Sequence, residues 1–194
     1  MLFKRKHEFK PDKTNPSTLN MLFITKKQRR AFLRWLLLAA VLTVVCVLQD
    51  VLLSRVRFYG GAFDMMAAAL LLTCILQDPE IGSIFILVGS GLYYFSGSSP
   101  GPISIALLTF IGVLAGIIRH CYLQNSFGSA LLCTGAALLA YEAALFGFGL
   151  FMDYTTADQA LGFLSTAGIS LAATPLLYPI LVAIVKSGGE SWND

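Results

Sequence analysis

Apolar residues gather into six runs along the chain, at about 32–53, 59–76, 81–95, 103–118, 127–151 and 159–185. Each is near or within reach of the roughly 20 residues that carry a helix across a bilayer, the third and fourth being the shortest. The breaks between runs carry turn chemistry: Ser54-Arg55, Asp78-Pro79, the stretch from Ser96 to Pro102, Gln124-Asn125-Ser126 and Asp153 to Asp158. Hydrocarbon holds no water to satisfy backbone groups, and runs this long and continuous do not read as barrel strands. The pattern therefore predicts an all-α membrane protein, a bundle of about six transmembrane helices over 31–186. A tail over 1–30 precedes it, and a short one over 187–194 follows.

Small residues recur at helical spacing and mark the faces on which helices approach closely. Gly112 and Gly116 form a G-x-x-x-G pair in the fourth run. Gly128, Gly135, Glu142 and Gly149 step by seven along the fifth, and Gly162, Thr166, Ser170 and Thr174 step by four along the sixth. In the second run Gly60, Asp64 and Ala68 step by four, so a helix there turns Asp64 toward a neighbour, as the fifth turns Glu142. Pro175 and Pro179 predict a kinked last helix.

Charge sets the expected orientation. Ten of the fourteen Lys and Arg residues lie within the first 34 positions, so the net charge of +3 belongs to a tail rather than to a nucleic-acid surface. The tail's two basic clusters, Lys4-Arg5-Lys6 and Lys26 to Arg30, together with Pro11 and Pro16, read as a disordered or surface-lying segment that binds anionic lipid. Positive charge favours the inner side, which places both termini in the cytoplasm and the protein in the plasma membrane. Arg119 then anchors the fourth helix at the inner interface, and Tyr93, Tyr94, Phe151 and Tyr154 belong to the outer aromatic belt. A chain with 56% hydrophobic and 13% charged residues and a mean hydropathy of +0.72 cannot cover a water-facing surface, so lipid is its main solvent.

Little in the sequence suggests catalysis. His7 and His120 are too few and too separated for a metal site, and Cys46, Cys74, Cys121 and Cys133 have no metal-ligand or disulfide spacing. Ser96-Gly97-Ser98-Ser99 is not a nucleophile elbow, and Gly89-Ser90-Gly91 lacks the lysine and helix start of a phosphate loop. The expectation is a protein that is not an enzyme and has no metal and no cofactor. The sharpest polar signals are the intramembrane acids Asp64 and Glu142, with Tyr141 beside the latter. An acid at the helix centre costs about 2.5 kcal/mol or more on insertion scales, so each needs a partner or a proton. Proton relay, ligand contact, helix docking and a structural hydrogen bond all stay open.

From Phe63 to about Leu150 the order of features resembles MreD, the small membrane component of the bacterial cell-shape and peptidoglycan elongation machinery. The resemblance is carried by Phe63-Asp64-Met65-Met66, by Gly91 to Gly97 with its Ser-Gly end, by Gly116-Ile117-Ile118-Arg119 and by Tyr141-Glu142. Phe63 stands where that family tends to have proline, and Tyr93 or Tyr94 where an aspartate is frequent. The resemblance implies a scaffold that associates with MreC and, through it, with the MreB filament, a RodA-like polymerase and a penicillin-binding transpeptidase. It also implies Asp64, Tyr141 and Glu142 as inward polar positions. The substrate-binding S component of an energy-coupling-factor vitamin importer is similar in length and span number. That alternative requires a polar, aromatic-lined outer pocket, for which Tyr93, Tyr94, Glu142, Phe148 and Tyr154 are the candidates.

Overall fold

A computed structural model describes residues 26–53, 57–58, 60–123 and 126–187. Among these the chain is mostly helical. Helix α1 spans Lys26–Leu48 and runs on into a π-helical turn, Gln49–Leu53. A two-stranded antiparallel hairpin follows, β1 at Arg57–Phe58 and β2 at Gly61–Ala62, with Gly60 at φ +82° in the turn. The remaining helices are α2 at Met65–Leu76, α3 at Pro79–Phe95, α4 at Ile103–Tyr122, α5 at Phe127–Phe151, α6 at Ala160–Leu171 and α7 at Thr174–Ser187. A single turn of 3-10 helix, Ala157–Gln159, leads into α6.

Three of these helices, α1, α4 and α5, are long and apolar enough to cross a membrane, and the bent pair α6–α7 makes a fourth if counted as one span. The bend is 45° and falls at Ala172-Ala173, immediately before the predicted kink. Pro175 sits in the first turn of α7, where its missing N–H costs nothing, and Pro179 is accommodated inside that helix. The second basic cluster is not part of an irregular tail: Lys26 to Arg30 form the first turns of α1. The rest of the predicted tail, with Lys4-Arg5-Lys6, lies outside the described residues, as does the chain beyond Ser187.

Helix α2 organises the bundle. All twelve of its residues are buried, so it has no lipid-facing side. It packs against α1, α3, α4, α5, α6 and α7, which surround it. At about 1.5 Å per residue it is roughly 18 Å long, well short of a ~30 Å hydrocarbon core. The second apolar run is thus half helix and half hairpin. Gly60 belongs to the hairpin turn, so the four-residue spacing of Gly60, Asp64 and Ala68 is not a helix face.

Glycines on the surrounding helices let α2 in. A methyl group at Gly82 of α3 would stand 2.9 Å from the Cys74 carbonyl oxygen, and one at Gly116 of α4 would stand 3.2 Å from the same atom. Gly112 packs against Ile86 and Leu71, its carbonyl accepting from the Cys74 thiol at 3.2 Å, and Gly89 packs on Leu70. Gly135 meets Leu171. Gly128, expected on the same packing stripe, is instead exposed with open space beside it, because it lies on the outward side of the first turn of α5, whose Ser129 and Ala130 are buried.

Enlarging Gly116 forces side-chain or backbone movement against a helix that has no free side. Gly116→Leu is expected to destabilise the bundle by roughly 1–3 kcal/mol, the usual cost of overpacking, and Gly128→Leu to leave stability unchanged. Thermal unfolding of both variants in detergent measures the difference.

Candidate functional site

The polar groups converge at the two ends of α2, because a buried helix end exposes backbone donors or acceptors that no water can reach. At its N-terminus Asp64 is the cap, with Oδ1 accepting from the Ala67 amide at 2.9 Å. Asp64 Oδ2 accepts from the Tyr93 hydroxyl of α3 at 2.8 Å. The π-helical turn of α1 points Gln49 inward, where Oε1 accepts from the Met65 amide at 2.9 Å and Nε2 donates to the Phe63 carbonyl at 2.7 Å. One glutamine thus closes both hydrogen-bonding faces of the chain as it enters the helix.

The sixth predicted span supplies the other wall. Ser170 Oγ accepts from the Asp64 amide at 2.9 Å, and Thr166 Oγ1 accepts from the Ala62 amide at 3.1 Å. Gly162 lies against the Gly60 carbonyl, with 3.3 Å to a methyl built there. Three members of the predicted stripe, Gly162, Thr166 and Ser170, therefore receive a non-helical strand rather than another helix, while the fourth, Thr174, opens α7 beyond the bend. The hairpin descends along α6, and Ser170 is ten residues from the start of that helix, roughly 15 Å along its axis. That distance is about half of a ~30 Å core, so Asp64 and the non-helical backbone before it lie deep within the bundle, where irregular backbone is tolerated only when protein satisfies it.

Tyr141 and Glu142 reach the same cluster from the middle of α5. Both are buried, with Tyr141 fully enclosed and Glu142 5% exposed. Both lie within electrostatic range of Asp64. The Tyr141 hydroxyl lies beside Ser104 of α4 but makes no hydrogen bond of acceptable geometry. Ser104 is already engaged with Ser99 and with the Gly101 carbonyl. The loop from Ser96 to Pro102 closes the cluster, its Ser98 carbonyl accepting from Tyr93 at 3.3 Å and its Ser98 hydroxyl donating to Asp50.

At the opposite end of α2, Arg119 Nη1 donates to the Ile75 carbonyl, and the Gln77 amide closes onto the Thr73 carbonyl at 3.1 Å. Arg119 is 5% exposed. The anchoring role predicted for it is corrected: its guanidinium turns into the bundle and covers a helix C-terminus, where a cation complements the dipole. Asp64 complements the same dipole from the other end.

The structure brings Asp64, Tyr141 and Glu142 together, as three inward polar positions. Tyr93, expected in an aromatic belt, is buried and holds Asp64, while Tyr94, Phe151 and Tyr154 are exposed. Gln49 and Ser104 gave no sequence signal, since a single Gln or Ser near an apolar run is commonplace. Among the described residues no group of three or more His, Cys, Asp or Glu side chains is arranged to hold a metal ion. Comparison with protein-family models, with curated proteins and with solved structures returns no match.

The Asp64–Tyr93 hydrogen bond is buried. Asp64→Ala removes a helix cap worth about 1 kcal/mol and the closer of the Tyr93 hydroxyl's two acceptors, leaving it the Ser98 carbonyl at 3.3 Å, a further loss of about 1 kcal/mol. Tyr93→Phe, which keeps the cap, is expected to cost less than Asp64→Ala, as thermal unfolding of the two variants in detergent would register.

Proposed function

We propose that the chain is a non-enzymatic membrane scaffold of the MreD kind, working by association with an MreC-like protein and, through it, with a RodA-like polymerase and a penicillin-binding transpeptidase in the bacterial plasma membrane. In this reading the hairpin with α2 forms one crossing, α3 another and α6–α7 a bent one, which makes six with α1, α4 and α5. In the same reading the excess of Lys and Arg up to Arg34, with Lys186, favours both termini on the cytoplasmic side.

The observation that carries the reading is the contrast between core and rim. Because α2 takes up the inward faces of its neighbours, their outer faces are left apolar and unoccupied, and on one side they form a groove. Between α3 and α4 lies a shallow, open groove of about 660 Å³ lined by Leu87, Pro102, Ile105, Ala106, Thr109, Phe110 and Val113. Phe110 at its edge is 69% exposed. Such a groove suits a single transmembrane helix, which in lipid associates by packing rather than by hydrophobic burial. The partner's helix is proposed to lie there.

The S-component reading finds partial support in the Asp64, Tyr93, Tyr141 and Glu142 cluster. Against it, Tyr94 and Tyr154 are exposed.

Gentle solubilisation of native membranes, capture of the tagged protein and mass spectrometry of what accompanies it distinguish the two. Recovery of an MreC-like protein with cell-wall synthases supports the scaffold; recovery of a transporter's coupling protein with paired ATPases replaces it with the importer. Ala106→Trp fills the groove, and a clash of ~1–3 kcal/mol at the partner's helix weakens its binding by about fivefold or more. Leu132→Trp, on the exposed side of α5, is expected to leave recovery unchanged.

A further inference from the structure

The loop joining α3 to α4 is fastened to the bundle by hydrogen bonds to three helices. The Ser98 carbonyl accepts from the Tyr93 hydroxyl of α3 at 3.3 Å, the Ser98 hydroxyl donates to Asp50 in the π-helical turn of α1, and the Ser99 hydroxyl meets that of Ser104 on α4. None of residues 97–102 belongs to the apolar core. Gly97, Pro100 and Pro102 are exposed, and Ser98, Ser99 and Gly101 are half-buried. A segment held by such bonds, without buried apolar contacts, opens locally at a small fraction of the cost of unfolding the whole chain, because water replaces what is released.

The two ends of the loop are built differently from its middle. Gly97 has φ +83° and Gly101 has φ +147°, and a methyl group at either would meet open space, so backbone conformation rather than crowding calls for glycine at both. Between them Pro100 fixes one φ angle, and the Ser99 hydroxyl accepts from the Gly101 amide at 3.3 Å. The middle therefore moves as one piece, and the glycines are where it turns. Beneath it lies Tyr93, 2% exposed, whose hydroxyl is shared between the Ser98 carbonyl and Asp64 Oδ2. Lifting the loop takes away the longer of those two bonds and leaves the 2.8 Å bond to Asp64 in place.

We propose that residues 98–100 are a hinged strap, which lifts on Gly97 and Gly101 and opens the N-terminal end of α2 to water at the Tyr93 hydroxyl while the helices stay where they are. When it is down, the strap ties α1, α3 and α4 together at the end of the bundle where the chain enters α2. The strap stands independently of the scaffold reading.

Hydroxyl-radical footprinting of the full chain in detergent reads the opening, since oxidation of a tyrosine follows its contact with water. In the wild type Tyr93 is expected to be protected relative to its neighbour Tyr94, which is exposed whether the strap is up or down. Removing two fastenings in the double variant Ser98→Ala, Ser99→Ala is expected to raise Tyr93 oxidation by about tenfold, with Tyr94 unchanged and Met66, fully buried in α2, still protected. Gly97→Val penalises the lowered strap alone, because a β-branched residue rarely adopts φ +83°, and is expected to raise Tyr93 oxidation as well. Gly91→Val, at a helical glycine of α3 with open space beside it, is expected to leave it at the wild-type level. The proposal is overturned if wild-type Tyr93 is oxidised as fast as Tyr94, if neither the double variant nor Gly97→Val raises its oxidation, or if any rise is matched at Met66, which would mean that the whole bundle has loosened.

Discussion

A helix buried on every side leaves its first amides and last carbonyls without water, and the architecture around α2 follows from satisfying them. Each unmet group would cost about 1–3 kcal/mol, and α2 has both ends inside the bundle. The N-terminal amides go to Gln49, Asp64 and Ser170, which come from three different parts of the chain. The C-terminal carbonyls go to Arg119 and to the turn at Gln77. Helices α1, α4 and α6 are therefore tied to α2 at defined heights, which apolar packing in lipid does not achieve alone.

Close approach makes those ties possible. Helices α3 and α4 both bring glycines to the Cys74 carbonyl, so one backbone atom of α2 is gripped from two sides. That proximity puts Arg119, one turn beyond Gly116 on α4, within reach of Ile75. Similarly, the small face of α6 admits the hairpin, whose descent places Asp64 beside Ser170. Steric and polar requirements are met by the same neighbours. Asp64 and Arg119 also oppose the two ends of one dipole, so the charges that an isolated apolar helix would reject are each favourable where they stand.

The apolar runs and the turns that separate them were legible in the sequence because they depend on local composition. The starts of α3 and α5 follow Asp78-Pro79 and Ser126, and the small stripe of α6 faces inward at Thr166 and Ser170. The inward placement of Tyr141 and Glu142 was readable because an acid in an apolar helix is confined to a helix–helix face, whereas Asp64 turns inward as the cap of α2 and not from the helix face its spacing suggested. What escaped depends on distant partners. The hairpin hides inside an apolar run whose residue types suit a helix equally well, and only the receiving face of α6 selects strand over helix. Arg119 carries the same charge at a membrane interface or on a helix C-terminus. Gly128 shares the heptad spacing of Gly135, but spacing does not reveal which side of the first turn of α5 its neighbours cover. Tyr93 is indistinguishable from Tyr94 by type, and one turn of α3 decides that the first bonds to Asp64 and the second is exposed.

Placing the polar organisation at the centre separates two properties of the protein physically. Residues that contact α2 set the geometry of the bundle, and substitutions there act on folding. Residues on the outer sides of α1, α3, α4 and α5, such as Val44, Leu87, Phe110 and Leu132, face outward and have no internal partner to lose. A partner helix meeting that rim exchanges lipid contacts for protein contacts without disturbing the hydrogen bonds at the ends of α2. The α3–α4 groove and the acid–tyrosine cluster are nevertheless connected, because α3 carries Leu87 on one face and Tyr93 on another, and α4 carries Ala106 and Ser104 in the same turn. A rotation of either helix that widened the groove would move Tyr93 relative to Asp64, or Ser104 relative to Tyr141. Coupling between rim and cluster thus requires no separate pathway, since the same two helices form a wall of each.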